Sequence, residues 1–265
     1  MIVDYHVHLR APDESLDPSV EGVERFVEVA AERGIDEVGF TEHVYYFTQT
    51  RVLWTAPYHI RHSAYDLEPY VDAIVEAKRQ GMPVKLGLEV DYVPGREEET
   101  RDLLAPYPWD YLLGSIHFIG HSGIDSEPGL TDEVGVEEAW RRYYEVLGLA
   151  AESKLFDSLA HPDLVRMFGP EIAWDWKAVA GSLGGVCLEV SSGGLHKPHT
   201  KLYPNPELLE QAHDRGAGIT LASDAHVPAN LGRDLDQAIE HARAAGYETL
   251  TVFDRREGQQ EPLGV

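Results

Sequence analysis

The chain opens with a strand-like stretch, residues 2–9, which reads IVDYHVHL and alternates in polarity. Residues two apart in a β-strand share a face, so His6 and His8 lie side by side while Val7 and Leu9 face the other way. Two imidazoles at the end of a buried strand are stable when a metal ion takes their lone pairs, because neutral imidazole is the commonest protein metal ligand. Two hydrogen-bonded core histidines would give the same local pattern, so the pair needs support from the rest of the chain.

Outward from this stretch, short strand-like runs alternate with amphipathic helical segments. The strand-like runs cover residues 2–9, 37–43, 84–90, 111–118, 158–161, 186–191 and 218–223, with a possible eighth at 249–253. Such alternation is typical of βα units around a parallel sheet. We therefore predict an α/β protein of one domain, a (βα) barrel over residues 1–254, followed by a loose polar tail at 255–265. A doubly wound open sheet is the alternative.

The charge composition limits the kinds of molecule that the protein is expected to bind. The net charge is −24, with 46 acidic against 22 basic residues, and this argues against a nucleic-acid partner, which needs a basic surface. A small anionic substrate stays compatible, since bound cations can invert the local field. The single cysteine, Cys187, excludes a disulfide within the chain. With no signal-peptide pattern and no apolar run of membrane-spanning length, we expect no membrane contact and a cytoplasmic location.

Six histidines and two carboxylates fall at or just beyond the C-terminal ends of the predicted strands. They are His6, His8, His43, Glu89, His117, His161, Asp224 and His226. In a barrel this is the face that carries active sites, so the eight side chains predict one metal centre. This ligand mixture suits zinc, iron or manganese, and a carboxylate can bridge two ions. No G-x-S-x-G motif is present, which favours metal-activated water over a covalent serine nucleophile.

The same residues, in the same order, resemble the PHP (polymerase and histidinol phosphatase) superfamily. The matching motifs are His6-Val7-His8, Thr41-Glu42-His43, Gly87-Leu88-Glu89, Gly114-Ser115-Ile116-His117, Ala160-His161-Pro162-Asp163 and Ser223-Asp224-Ala225-His226. They extend over residues 6–226 and jointly are quite specific. The resemblance implies a distorted (βα)7 TIM-like barrel with two or three divalent metal ions (Zn, Mn or Fe).

The resemblance also implies how the ligands are shared among the ions. The first ion would be held by His6, His8, Glu89 and Asp224, the second by Glu89, His117 and His161, and the third by His43 and His226. Many relatives have a further histidine for the third ion in the segment that corresponds to residues 9–17, and this chain has none there. Asp13 or Glu14 could replace it, or the third site is weak or empty.

Several loops look like those of the histidinol-phosphate phosphatase branch of this family, among them residues 191–198 and 203–206. That likeness makes Arg166 and Lys197 candidates for contact with a substrate phosphate, although both could be ordinary surface charges. Glu189 could meet a cationic group of the substrate or could support a histidine. Glu42 replaces a common aspartate and is expected to be structural rather than a ligand.

The resulting prediction is a metal-dependent phosphomonoesterase that acts on L-histidinol phosphate with a metal-bridging hydroxide as nucleophile. Glu89, Asp224 and His226 would be the catalytic side chains, and the proton for the leaving group would come from metal-bound water or from Asp224. Two alternatives stay open: the same site acting on another small phosphate ester or a nucleotide, and a non-catalytic metal-binding module. The sequence does not predict the oligomeric state.

Overall fold

A computed structural model describes residues 1–127, 129–167, 171–198 and 201–264. Its strands are β1 (Val3–Val7), β2 (Glu37–Phe40), β3 (Val84–Leu86), β4 (Glu89–Asp91), β5 (Leu113–Ser115), β6 (Phe118–Ile119), β7 (Ser122–Gly123), β8 (Ser158–Leu159), β9 (Cys187–Ser191), β10 (Ile219–Ala222), β11 (Thr249–Asp254) and β12 (Glu257–Pro262). Its α-helices are α1 (Val20–Arg33), α2 (Pro57–His62), α3 (Leu67–Arg79), α4 (Glu97–Leu104), α5 (Leu130–Val134), α6 (Val136–Glu152), α7 (Trp176–Ser182), α8 (Pro206–His213) and α9 (Leu235–Ala244).

The parallel strands form two sheets that meet at both edges. One sheet has the order β1-β2-β3 and the other has the order β10-β9-β8-β5-β4. A parallel bridge between Val7 and Ala225 joins β1 to the end of β10, and a second bridge between His43 and Glu89 joins the end of β2 to β4. Because β3 and β4 are successive pieces of one predicted strand, seven strand positions follow one another around a ring. The prediction of an α/β fold with parallel strands in a single domain is confirmed, and the two bridges order the strands as a ring instead of an open sheet.

Several of the helices begin at a residue whose side chain caps the first turn. The Asp66 carboxylate caps α3 by accepting from the backbone N–H of Glu68, and the Asn205 side chain caps α8 in the same way, with Pro206 in the first turn. Helix α1 also begins at a side-chain cap. Ser19 is the capping residue, and its hydroxyl in turn donates to the Asp17 carboxylate at 2.7 Å.

The strand predicted at residues 84–90 is interrupted at Gly87. A Cβ atom at this position would lie 2.7 Å from Cγ2 of Thr41 and 2.8 Å from the Tyr111 ring, so only glycine allows the backbone to approach so closely. The Gly87 carbonyl accepts from the Tyr70 hydroxyl at 2.9 Å, on the far side of the strand pair. The interruption divides the strand into β3 and β4, and β4 starts at Glu89.

Residues 257–262 form a strand, in contrast to the loose tail predicted for 255–265. Strand β12 pairs antiparallel with β11, from Thr249 opposite Pro262 to Asp254 opposite Glu257. The side chains of β12 are mostly exposed, which explains the polar composition, while its backbone groups are bonded across the hairpin. Gly264 then donates its N–H to the carbonyl of Met1 at 2.8 Å, so the hairpin also holds the start of β1. No helix among the described residues has the length and apolar character needed to cross a membrane.

Candidate metal centre

All eight side chains predicted as metal ligands come together at the C-terminal ends of the ring strands. Four overlapping groups bring their ligand atoms within 4.8 Å of one another: His6 with His8 and Asp224, His6 with Glu89 and His161, His43 with Glu89 and His117, and His8 with His43 and His226. The cluster is thus continuous, since each group shares a residue with another.

The ends of the strands place these side chains. His6 lies within β1 and His8 directly after it, Glu89 opens β4, and the other ligands follow β2, β5, β8 and β10. His161 and Asp224 both have positive φ values, 26° and 56°, which are uncommon for residues with a side chain. Such backbone strain is characteristic of functional sites, where it aims a side chain that regular geometry would turn away.

Glu89 lies at the middle of the cluster. Its Oε2 lies 3.3 Å from Nε2 of His6 and 2.7 Å from Nδ1 of His43. Its Oε1 lies 3.3 Å from Nε2 of His117 and 3.0 Å from Nε2 of His161. Burial raises the pKa of this carboxyl, but the surrounding histidines outweigh burial and hold the pKa well below its ordinary value. Glu89 is therefore a carboxylate whose two oxygens face two different sets of nitrogens, the geometry of a bridging ligand.

Four of the converging ligand atoms have no hydrogen-bond partner among the described residues. Nε2 of His6, Nε2 of His8, Nδ1 of His43 and Oε2 of Glu89 are buried and make no hydrogen bond. An unpaired buried polar atom costs about 1–3 kcal/mol, and four facing one another need a common partner. Lone pairs of nitrogen and carboxylate oxygen in this arrangement fit divalent cations of the zinc, manganese or iron type.

The protonation behaviour of two histidines agrees with this fit. Burial lowers the pKa of His43 to about 4 and that of His226 to about 3, with the neighbouring His8 charge acting in the same direction. Both imidazoles are consequently neutral at pH 7 and have a lone pair to offer. For His117, burial also lowers the pKa, but the charges of Glu89 and Asp91 prevail and raise it to about 10. A cation at this histidine would displace a proton.

Three further carboxylates fix the ligand histidines from behind. Each lies close to the Nδ1 atom of one histidine and so turns Nε2 toward the cluster, as outer carboxylates do in metal proteins. The pairs are His6 with Glu189 at 2.7 Å, His8 with Glu42 at 3.1 Å, and His117 with Asp91 at 2.5 Å. The expectation that Glu42 is structural agrees with this geometry.

Glu189 does not have the position expected of a substrate contact. It is fully buried; its Oε2 holds His6, and its Oε1 accepts the backbone N–H of His161 at 3.1 Å. Both oxygens are thus engaged by the ligands of the cluster. The geometry supports the other interpretation, in which Glu189 supports a histidine.

Arg166 is also engaged elsewhere. Its guanidinium lies 2.7 Å from Asp163 and 3.2 Å from Glu171, and the side chain is 4% exposed. A phosphate would have to compete with two carboxylates for this group, so the structure does not favour Arg166 as a phosphate contact. Arg166 instead braces the loop after His161, since Asp163 also accepts the backbone N–H of Asn205 at 2.6 Å.

Lys197 faces the cluster. The charge of Asp224 is the largest influence on this ammonium and raises its pKa, with Asp125 and Glu89 adding to the effect. Among the described residues no carboxylate lies within 4.0 Å of its Nζ atom to neutralise it. Lys197 is therefore a cation near the ligand carboxylates that is not paired with any of them at salt-bridge distance.

Asp13 and Glu14 are not placed as ligands for a third ion. Asp13 and Glu14 are exposed, and neither belongs to any of the four groups formed by the described residues. The group of His43 and His226 is completed by His8 instead. Nearby, Arg10 forms an ion pair with Glu42 at 3.1 Å and lies over the Tyr46 ring at 5.0 Å.

Sequence reasoning missed Asp91 and Arg10. Asp91 was detectable, because it lies two residues after Glu89 on the same strand and hence on the same face. Arg10 carried no comparable signal, since its pairing with Glu42 depends on the adjacency of β1 and β2. A buried cluster of six histidines and two carboxylates on the C-terminal rim of a parallel ring defines an α/β barrel protein with a metal centre.

Comparison with known proteins gives the family. The model of the PHP domain matches residues 4–192, and the chain belongs to the PHP domain family. A probable histidinol-phosphatase of Deinococcus radiodurans is 31% identical over 242 residues, covering 87% of this chain and 90% of that protein. A histidinol-phosphatase of Lactococcus lactis is 22% identical over 264 residues, covering 94% of this chain and 92% of its own.

Solved structures show the same fold. The histidinol phosphate phosphatase of Lactococcus lactis, complexed with zinc, L-histidinol and phosphate, superposes with a TM-score of 0.78 at 22% identity and covers 97% of this chain and 98% of its own. A putative histidinol phosphatase of Listeria monocytogenes gives a TM-score of 0.73 at 23% identity, covering 89% of this chain and 99% of its own.

Proposed function

We propose that this protein is a metal-dependent phosphatase that hydrolyses L-histidinol phosphate to L-histidinol and inorganic phosphate. The observation that carries the proposal is the position of Glu89, whose two carboxylate oxygens each face two imidazole nitrogens in a buried cluster. The substrate is supported by the histidinol-phosphatase names of relatives that match nearly the whole chain.

The centre divides into two subsites around Glu89. His6, His8 and Asp224 would hold one ion. His117 and His161, whose Nε2 atoms both lie close to Oε1 of Glu89, would hold the other. Bound divalent ions supply a nucleophile from water at neutral pH and withdraw charge from the phosphoryl group. His43 and His226, with His8, form the third group of ligand atoms.

The chain itself supplies binding and orientation. Lys197 would bind a phosphoryl oxygen, because its ammonium lies near Asp224 and Glu89, whose charges raise its pKa and favour the protonated form. Burial raises the pKa of Asp224, but His8, His6 and His226 outweigh burial and hold it well below its ordinary value, so this carboxylate is ionised and suits a metal ligand rather than the proton donor to the leaving alkoxide. Glu189, Glu42 and Asp91 would hold the ligand imidazoles in one tautomer and one orientation.

The test is phosphate release by purified protein that has been stripped with a chelator and reloaded with Mn²⁺ or Zn²⁺. We expect turnover of L-histidinol phosphate only after reloading, and its loss in Glu89→Gln. Glu98→Gln, an exposed position on α4, is the matched control and should keep full activity. A reloaded protein that ignores histidinol phosphate but hydrolyses another ester or a nucleotide would contradict the substrate. A protein that binds metal and hydrolyses no ester would be the non-catalytic module.

We also propose that the protein serves histidine biosynthesis in the cytoplasm. The relatives carry the name of an enzyme whose product, L-histidinol, is an amino alcohol related to histidine. Growth without histidine, restored by this gene in a host that lacks its own histidinol-phosphatase and lost again with the Glu89→Gln variant, tests the role. Fractionation of the native host tests the location.

A further inference from the structure

His59 lies outside the ligand cluster but ends a chain of buried contacts that leads into it. Its Nε2 lies 2.9 Å from Oδ2 of Asp91, and Oδ1 of Asp91 lies 2.5 Å from Nδ1 of His117. Nε2 of His117 in turn lies 3.3 Å from Oε1 of Glu89. His59 is 4% exposed and Asp91 5% exposed, so this series of contacts is shielded from water.

The His59 ring is held in a fixed orientation. It belongs to α2, outside the ring of parallel strands, and packs between aromatic side chains. Ring centroids of Phe118, Tyr45 and Trp54 lie 4.4, 4.9 and 4.9 Å away. A ring confined in this way can direct Nε2 only toward Asp91, which makes it a rigid anchor for that carboxylate.

Each outer carboxylate of the cluster has a second anchor, and the anchors differ. Glu189 is fixed by a backbone N–H of His161, and Glu42 by Arg10 and by the backbone N–H of His43. For Asp91, the hydroxyl of Ser115 shares Oδ1 with His117, and His59 takes Oδ2. Oδ2 of Asp91 is therefore bonded by a side chain from helix α2 and not by a residue of the parallel strands.

We propose that His59 is a positioning residue for the subsite of His117 and His161, acting through Asp91. Without His59, Oδ2 would be a buried acceptor with no donor, and the carboxylate would rotate to find one. Rotation would withdraw Oδ1 from His117 and release the imidazole from its orientation toward Glu89. Loss of such outer support typically lowers metal affinity by about 10–100-fold. The inference rests on the proposed metal centre and adds to it a residue of helix α2 that positions one of the ligand histidines.

The experiment measures metal binding rather than turnover. Stripped protein is titrated with Co²⁺, and the visible absorption of the bound ion reports each subsite as it fills. His59→Phe keeps a ring in the aromatic surroundings but removes the donor, whereas His59→Gln keeps a donor. We expect His59→Phe to weaken one of the two Co²⁺ phases by about 10–100-fold and to leave the other unchanged. His59→Gln should restore most of the affinity.

His62→Phe is the matched control. His62 belongs to the same helix and its Nδ1 bonds the carbonyl of Tyr58, within α2, at 2.8 Å. This variant should bind Co²⁺ as the unchanged protein does. If His59→Phe fails to fold, His59→Leu removes the same donor with a smaller side chain.

Three results would overturn the inference. They are unchanged Co²⁺ affinity in His59→Phe, equal weakening of both phases, and damage in His59→Gln as large as in His59→Phe. Because binding is read without substrate, a wrong substrate leaves this result intact. Unchanged protein that binds no Co²⁺ would overturn the metal centre and this inference together.

Discussion

At the scale of single residues, the centre is built from pairs in which a carboxylate fixes a histidine. His6 and His8 each have one nitrogen held by a glutamate and the other free to bind an ion. The convergence of these residues was predictable from the whole set, because six histidines and two carboxylates fall at the ends of predicted strands, whereas one histidine pair alone could equally be hydrogen-bonded in the core. The partners were less so: Glu42 was expected to be structural, but Glu189 could equally have met substrate, and its burial and its hydrogen bonds to His6 and His161 distinguish these roles.

Lys197 gives a prediction at this scale. Replacement by glutamine removes the cation that faces Asp224, and a charged hydrogen bond to phosphate contributes about 1.5–3 kcal/mol. We expect Lys197→Gln to raise KM for the phosphate ester by about 10–100-fold, while metal content stays the same. Lys177→Gln, on the exposed side of α7, is the control and should leave KM unchanged. Steady-state kinetics on metal-loaded protein measure this change. An unchanged KM in Lys197→Gln would show that Lys197 does not bind the phosphate.

Cys187 gives a pH-dependent prediction. Burial raises the pKa of its thiol to about 12, so the folded protein keeps it neutral at pH 8. A raised pKa means that ionisation is easier in the unfolded chain, so the stability from this group is full below about pH 9 and is lost as the pH rises from about 9 toward 12. We expect no reaction with a disulfide reagent at pH 8 in native protein and one thiol per chain after unfolding in guanidinium. Rapid labelling of native protein at pH 8 would contradict the buried position.

At the scale of elements, the interruption of one strand places the bridging ligand. The alternation of apolar residues from Val84 to Val90 predicts an unbroken strand, and Gly87 is the one local signal of an irregularity within it. The break arises from the close approach of Gly87 to Thr41 and Tyr111, which are distant in sequence. It lets β4 begin at Glu89, opposite Leu113 of β5 and next to His43. Contacts of this kind are not visible in the sequence, and for the same reason the C-terminal hairpin was missed.

Gly87→Ala tests this reading of the strand. The added methyl group would meet Thr41 and Tyr111 at less than 3.0 Å, and overpacking of this kind typically costs about 1–3 kcal/mol. Gly181→Ala is the control, because no atom lies within 4 Å of its added Cβ in α7 and alanine favours a helix. Chemical unfolding should show a lower free energy of unfolding for Gly87→Ala and an equal or higher one for Gly181→Ala. Equal stability of both variants would contradict the close approach.

At the scale of the whole molecule, ring closure makes one site out of distant segments. Val7 pairs with Ala225, so the first and last strands of the ring are neighbours, and His8 and Asp224 meet there, with Nε2 and Oδ1 3.4 Å apart. The sequence predicted this architecture from the alternation of strands and helices and from residues placed at strand ends. It could not predict which outer carboxylate holds which histidine, because that depends on the register between neighbouring strands.

The central claim is that these segments form one centre in which Glu89 lies between two ions. Anomalous X-ray diffraction from crystals of zinc-loaded protein tests it most directly. The account predicts at least two anomalous peaks, one among His6, His8 and Asp224 and one between His117 and His161, with Glu89 oxygens contacting both. Zinc-loaded crystals with no peak at this rim, or with peaks only at surface histidines, would contradict it.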